Sequence, residues 1–276
     1  MLTFCLLIIA VVAYLLGGVN GAIITSRYLY KKDIRRFGSG NAGLTNFYRV
    51  FGKKGTIIVI AVDALKAIIS VALGGLLMKP FGAAVTGKLM AMFFAMLGHA
   101  FPVYYGFHGG KTVLCGGFCA LMLDWRVGLL CWAAFAVAVI ASRYVSLGSI
   151  CAGIVLPLGV IIFGGDKIEN ILAVMCGVLL VGMHWQNILR LLVGKENKFS
   201  FSSGGSAKEA PARSQRPESA PARQSRPEPA PRPRPARPVQ TEPGETEAEA
   251  RERQLADSIR RKISSINWYE EEDENE

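Results

Sequence analysis

Residues 38–49 read Gly-Ser-Gly-Asn-Ala-Gly-Leu-Thr-Asn-Phe-Tyr-Arg, so three glycines, Ser39, Asn41, Thr45, Asn46 and Arg49 crowd into twelve positions. Successive small residues let backbone N–H groups turn toward one point, and such nests bind anions. Ser39, Asn41, Thr45 and Asn46 add short-range hydrogen bonds, and the planar fork of Arg49 can grip a phosphate through two nitrogens. The plain alternative is a glycine-rich turn between two helices. Long apolar runs on both sides favour the first reading, a phosphate-reading loop at the edge of a bilayer.

Three further polar islands interrupt the apolar sequence. Gly109-Gly110-Lys111-Thr112 offers two glycines and a lysine at a helix start, where the positive end of the helix dipole also favours an anion. It lacks the spacing and the preceding strand of a P-loop. Arg143-Tyr144-Val145-Ser146 contributes one cation and one hydroxyl at a helix junction and says little alone. His184, Asn187 and Arg190 recur at three-residue spacing, which predicts one helical face, with Glu196 and Lys198 following. A histidine at a membrane boundary is commonly an interfacial residue, so His184 as a base and His184 as an orienting group both stay open.

These islands must be positioned by membrane helices. Half of the 276 residues are hydrophobic (51%), and that material lies in the first 198 positions. Residues 2–26 are apolar with no basic residue before Arg27 and no convincing cleavage site, which predicts a retained first helix. Further apolar segments fall near 55–78, 86–107, 112–124, 127–142, 147–164 and 168–185, the fourth of the seven being short for a span of about 20 residues. The fold class expected is an all-α integral membrane protein of about seven transmembrane helices, with six as the fallback. On the seven-helix reading thirteen Lys and Arg fall on one side, four on the other, and Lys66 sits within a helix three residues after Asp63, close enough to pair with it. That asymmetry puts the N-terminus outside and the tail in the cytoplasm. All six cysteines lie in apolar segments without metal-ligand spacing, so neither a metal site nor a cofactor is expected.

Beyond the membrane domain (1–198) the composition changes. Residues 199–243 form a Pro- and Arg-rich linker that cannot bury enough surface to offset ordering entropy. Residues 244–276 recover helical composition, with Leu255, Ile259, Ile263 and Ile266 on roughly one face, then Trp268, Tyr269 and an acidic end. Such a tethered amphipathic helix can touch a protein partner or the membrane surface, and a solvated extension fits as well.

In order and spacing, residues 10–198 resemble the PlsY family of bacterial glycerol-3-phosphate acyltransferases. The likeness runs from Tyr14–Gly17 through Asp33–Arg35, Gly38–Asn46, Asp63–Lys66, Gly98–Pro102, Gly109–Lys111 and Arg143–Ile150 to His184, Asn187, Arg190, Gly194, Glu196 and Lys198. The resemblance implies a seven-helix enzyme of the bacterial inner membrane, its site facing the cytoplasm, that moves an acyl chain from acyl phosphate to glycerol 3-phosphate and gives lysophosphatidate. No nucleic acid enters that chemistry. His184, Asn187 and Lys111 are then the expected catalytic residues; Ser39, Asn41, Thr45, Asn46, Arg49, Gly109, Gly110, Ser146, Glu196 and Lys198 are the expected substrate contacts. Two departures stand out: His108 and Thr112 replace the outer Lys and Gly of the usual Lys-Gly-Gly-Lys-Gly, and the long tail has no counterpart.

The residue types suit that reaction. An acyl phosphate is already activated, so its leaving group needs charge stabilisation more than a strong acid. Two rival classes fit the residues less well. An acyltransferase with a His-x-x-x-x-Asp pair is excluded, because Tyr104, Val113 and Leu189 stand five residues after His99, His108 and His184. An organic-anion transporter should show repeats and broken mid-membrane helices, and only Asp63 and Lys66 sit well inside a helix.

Overall fold

The computed structural model describes residues 1–199, Thr246, and residues 248–250, 252–253 and 256–257. Among them every regular element is helical, as the sequence predicts. The chain divides into two units, Met1–Ala210 and Pro211–Glu276. In the second, Thr246 donates to Glu249 Oε2 from its N–H at 2.9 Å and from its hydroxyl at 2.7 Å, at a helix start. The linker, and Leu255, Ile259, Ile263, Ile266, Trp268 and Tyr269 of the expected amphipathic face, lie outside the described residues.

The first unit contains α1 (Leu2–Gly18), α2 (Gly21–Leu29), α3 (Leu44–Phe51), α4 (Lys53–Met78), α5 (Ala84–Ala100), α6 (Val113–Leu123), α7 (Trp125–Ser142), α8 (Val145–Ile162), α9 (Lys167–Gly182) and α10 (Trp185–Leu192). Among the described residues, five stretches are long and apolar enough to cross a membrane: Leu2–Leu29, Lys53–Phe81, Ala84–Tyr105, Trp125–Ser142 and Val145–Ile162. A sixth results if α9 and α10, bent by 57°, count as one. The eleven residues of α6 reach only about 16 Å. Helix length therefore supports five or six spans, with α6 as a partial one, and does not establish seven.

Helix α5 is the hub, packing against α1, α4, α6 and α9. Leu89, Ala91, Met92, Ala95 and Met96 put small and flexible side chains at its buried face. Without a hydrophobic drive between helices in lipid, close approach depends on small residues. A Cβ on Gly74 of α4 would collide with the Gly87 carbonyl of α5, and one on Gly87 would collide with that of Gly74. We expect Gly74→Val to force these backbones apart, costing about 1–3 kcal/mol; thermal unfolding in detergent should show a lowered Tm, and an unchanged Tm would refute this packing. Ile57, Leu76, Ile140 and Val178 point outward, where the hydrocarbon takes the place of water.

The first apolar run is not one straight helix. It breaks at Val19–Asn20, and the buried Asn20 side chain caps α2 by accepting from Ile23 N–H at 3.0 Å. This break and the turn between α5 and α6 bring the polar islands together.

Candidate active site

The first island begins after α2. Asp33 takes 2.8 Å ion pairs from Arg27 and Arg35, and Arg35 donates to the Tyr105 carbonyl at 2.8 Å. Burial alone would raise the Asp33 carboxyl, but hydrogen bonds from Arg35 and Arg27 hold it well below the usual carboxylate range. Left-handed Gly38 (φ 57°) and Gly40 (φ 69°) then turn the chain. Asn46 knits the loop: its Oδ1 accepts from Ser39 N–H at 2.9 Å, and its amide donates to the carbonyls of Phe37 and Asn41 at 3.0 Å. Gly40 and Gly43 N–H groups bond to Phe37 and Asn41 carbonyls, both at 3.0 Å. This corrects the expected nest: the N–H groups of Ser39, Gly40 and Gly43 are spent inside the loop, and Asn46 braces it. The Ser39 side chain stays exposed, while Asn41, Thr45 and Arg49 are half-buried.

The second island is stapled to the end of α5. Gly109 N–H donates to Ala100 O at 3.1 Å and Gly110 N–H to His99 O at 3.0 Å. These glycines, expected as backbone donors to substrate, are already satisfied. Their smallness serves close approach instead, since a Cβ on Gly110 would stand 2.7 Å from Ala42 O. The two loops meet at that point. Thr112 (φ 65°) keeps the left-handed backbone that a glycine adopts without strain, a cost of about 1–3 kcal/mol.

Lys111, carried by this turn, joins the island that runs from His184 to Lys198. Its Nζ donates to Asn187 Oδ1 at 2.5 Å; Asn187 Nδ2 donates to Glu196 Oε1 at 2.7 Å; and Arg190 Nε donates to Glu196 Oε2 at 2.6 Å. Burial lowers the Lys111 ammonium to about 8, and the nearby Arg190 and Arg49 cations push the same way against Glu196. Glu196 lies below its ordinary range: burial would raise it, but Asn187, Arg190 and the neighbouring Ser146 hydroxyl outweigh that. Ser146 is buried and makes no hydrogen bond of normal geometry.

Glu196 reaches the site because the chain after α10 folds back. Gly194 (φ 71°) starts the turn and Lys195 N–H caps Arg190 O at 2.8 Å. Phe199 N–H then bonds Arg143 O at 2.8 Å, with its ring 5.8 Å from that of Tyr48. Lys198 is exposed on this strap, two residues beyond Glu196. His184 precedes α10, buried, with Nδ1 2.9 Å from Leu180 O, so Nδ1 carries the proton and Nε2 is left with a lone pair. It lies within electrostatic reach of Lys111, Glu196 and Arg190.

The structure thus brings together Lys111, Asn187, Glu196, Ser146, His184 and Arg49, with the Ser39–Asn46 loop touching the base of the Lys111 turn. Arg190 and Asn20 were not among the expected site residues. Arg190 had a signal in its helical spacing from Asn187, and Asn20 one as an amide in a glycine-flanked helix break. A narrow apolar slot opens beside the turn, lined by Val113, Gly116, Gly117, Trp132, Phe135 and Leu180. Three cations balanced by one carboxylate, a polar cluster without a strong acid and an adjoining slot for hydrocarbon suit a lipid-like phosphate.

Known proteins agree with that reading. The profile of a family described as Glycerol-3-phosphate acyltransferase matches residues 7–194. A relative of that name from Carboxydothermus hydrogenoformans is 36% identical over 200 residues, covering 72% of this chain and all of the relative. Glycerol-3-phosphate acyltransferase 2 from Bacillus anthracis is 39% identical over 188 residues, 68% of this chain and 96% of the relative. Two crystal structures of PlsY (YgiH), an integral membrane glycerol 3-phosphate acyltransferase, align at 33% identity over 71% of this chain and 96% of theirs. The glycerol 3-phosphate form has a TM-score of 0.64 and the lysophosphatidic acid form 0.62. The family profile spans the helices and the polar islands as far as Gly194, both relatives are covered over almost their whole length, and on that ground the chain belongs to the glycerol-3-phosphate acyltransferase family.

Proposed function

We propose that this glycerol-3-phosphate acyltransferase uses acyl phosphate as its donor, giving lysophosphatidate and inorganic phosphate on the cytoplasmic side of a bacterial inner membrane. The observation that carries this reading is Lys111, a half-buried ammonium held by one amide and flanked by Arg49 and Arg190. Such a centre accepts phosphate oxygens readily. The glycerol hydroxyl oxygen attacks the acyl carbonyl, and the bond from that carbon to the phosphate oxygen breaks. The electron pair leaves with phosphate, and the hydroxyl proton passes to His184 Nε2 or to the departing phosphate. Holding two anions with the hydroxyl aimed can supply about 7–11 kcal/mol, and donors at the developing oxyanion about 3–4 kcal/mol. Ser39, Asn41, Thr45 and Arg49 face one phosphate in this reading, while Lys111, Asn187, Ser146 and the exposed Lys198 serve the other. The apolar slot takes the acyl chain. Seven crossings, the inside placement of the thirteen cations, a membrane domain ending near 198, and a tail that serves a partner rather than catalysis belong to the same proposal.

A donor comparison on purified full-length protein tests it. Labelled glycerol 3-phosphate should yield labelled lysophosphatidate with acyl phosphate and little with acyl-CoA or acyl carrier protein thioesters. Turnover on a thioester with none on acyl phosphate would overturn the donor assignment.

A further inference from the structure

Between α4 and α5 lies an ionic cluster that the chemistry above does not use. Asp63, Lys66 and His99 are each at most 3% exposed. Lys66 Nζ stands 2.9 Å from Asp63 Oδ1, 2.7 Å from His99 Nδ1 and 2.8 Å from Val19 O, which commits all three of its protons. Because the ammonium donates to Nδ1, the His99 proton sits on Nε2. Charges within a membrane domain are costly to bury, and apolar residues of similar size would stabilise such a site at least as well. Stability alone does not account for the cluster.

Its contacts lead to both loops. Asp63 Oδ1 accepts from Gly21 N–H at 3.3 Å, and with the Lys66 bond to Val19 this clamps the α1–α2 break on both sides of Asn20. Asn20 Nδ2 in turn donates to Ala42 O at 3.1 Å, in the middle of the first loop. On the other side, His99 O receives Gly110 N–H at 3.0 Å. The His99 ring lies so tightly against Gly110 that a Cβ there would collide with Nε2. Lys111 is the next residue. One ammonium therefore fixes, through two short routes, the distance between the Ser39–Arg49 loop and the Lys111 turn.

We propose that Asp63, Lys66 and His99 are positioning residues that set the register between the two anion-binding loops and thereby the affinity for glycerol 3-phosphate. The proposal rests on the reading that both loops face substrate phosphates. A misplacement of about 1 Å in such a site can cost roughly a hundredfold.

Two variants of the full chain, assayed beside wild type for Tm, kcat and KM, test it. Asp63→Asn/Lys66→Met removes both charges together, so Tm should stay near wild type, while the KM for glycerol 3-phosphate rises at least about tenfold because Val19 and His99 lose their shared donor. His99→Asn keeps an acceptor for Lys66 but removes the ring atoms over Gly110. It should fold like wild type with the same rise in KM, and it carries the test if the double variant does not accumulate. Wild-type KM in either folded variant would overturn the proposal. If wild type itself turned over no glycerol 3-phosphate with any donor, the functional reading would fall instead.

Discussion

Lys111→Ala is expected to lower kcat/KM by about 10²–10³-fold, the loss seen when one preorganised donor is removed from a charge-stabilising site. The ammonium touches Asn187, which holds Glu196, so its removal also loosens the strap after α10. Its pH behaviour makes the prediction specific. The pKa is lowered to about 8, so the charge is present below that pH and lost above it. Wild-type kcat/KM should therefore fall as pH rises past about 8, and the variant should lack that limb. Stability runs the other way. The folded protein binds fewer protons than the unfolded chain between about 8 and the ordinary lysine value of 10.5, so this group's contribution to stability grows with pH across that window. Activity that declines while Tm holds would place the titration at Lys111 rather than in unfolding. Equal pH profiles in wild type and Lys111→Ala would remove Lys111 from the site.

Arg49→Lys should be nearly as damaging although it conserves charge. Arg49 lies on α3 behind the first loop and is close enough to Lys111 to depress its pKa. A guanidinium offers a planar fork to two phosphate oxygens, whereas an ammonium is a compact point charge on a shorter reach. Losing one charge-assisted hydrogen bond, worth about 1.5–3 kcal/mol, corresponds to a fall of roughly ten- to a hundredfold in kcat/KM. Separate KM values for acyl phosphate and glycerol 3-phosphate will show which anion the fork grips, and the protein should still be extracted and melt normally. Near-normal kinetics would leave Arg49 as a topology charge only.

The membrane class and the helix segments were legible because apolar runs and their polar interruptions need no tertiary knowledge. Both ends of α4 and the start of α5 fall within two residues of the expected segments, α5 stops seven residues early at Ala100, and the Asp63–Lys66 pair forms as their spacing suggests. Segment length misled where a run hid a break: residues 2–26 read as one helix because Asn20 is a single polar residue whose capping bond shows only in three dimensions. The fourth segment, correctly read as short, became α6. Residue types at the site were legible too, whereas their hydrogen-bond partners were not. Asn46, Gly109 and Gly110 look like ligand donors in sequence, yet their N–H groups or amides close loop backbone. Glu196 and Arg190 stand six positions apart, and their ion pair forms only because the left-handed Gly194 turns the chain back. His99 fell within the Gly98–Pro102 likeness, but its partnership was not legible, because Lys66 and Asp63 lie 33 and 36 positions away on α4.

The central claim is that Lys111, the residues around it and the Ser39–Arg49 loop form one anion site. Determining the structure of the full chain with glycerol 3-phosphate bound tests it most directly. The account predicts the phosphate within hydrogen-bonding distance of the Ser39–Arg49 loop or of Lys111 Nζ, with the glycerol hydroxyl directed toward His184 and the mouth of the apolar slot. A phosphate seated away from both loops, against Arg27 and Arg35 or beside Lys88 at the far end of α6, would contradict it.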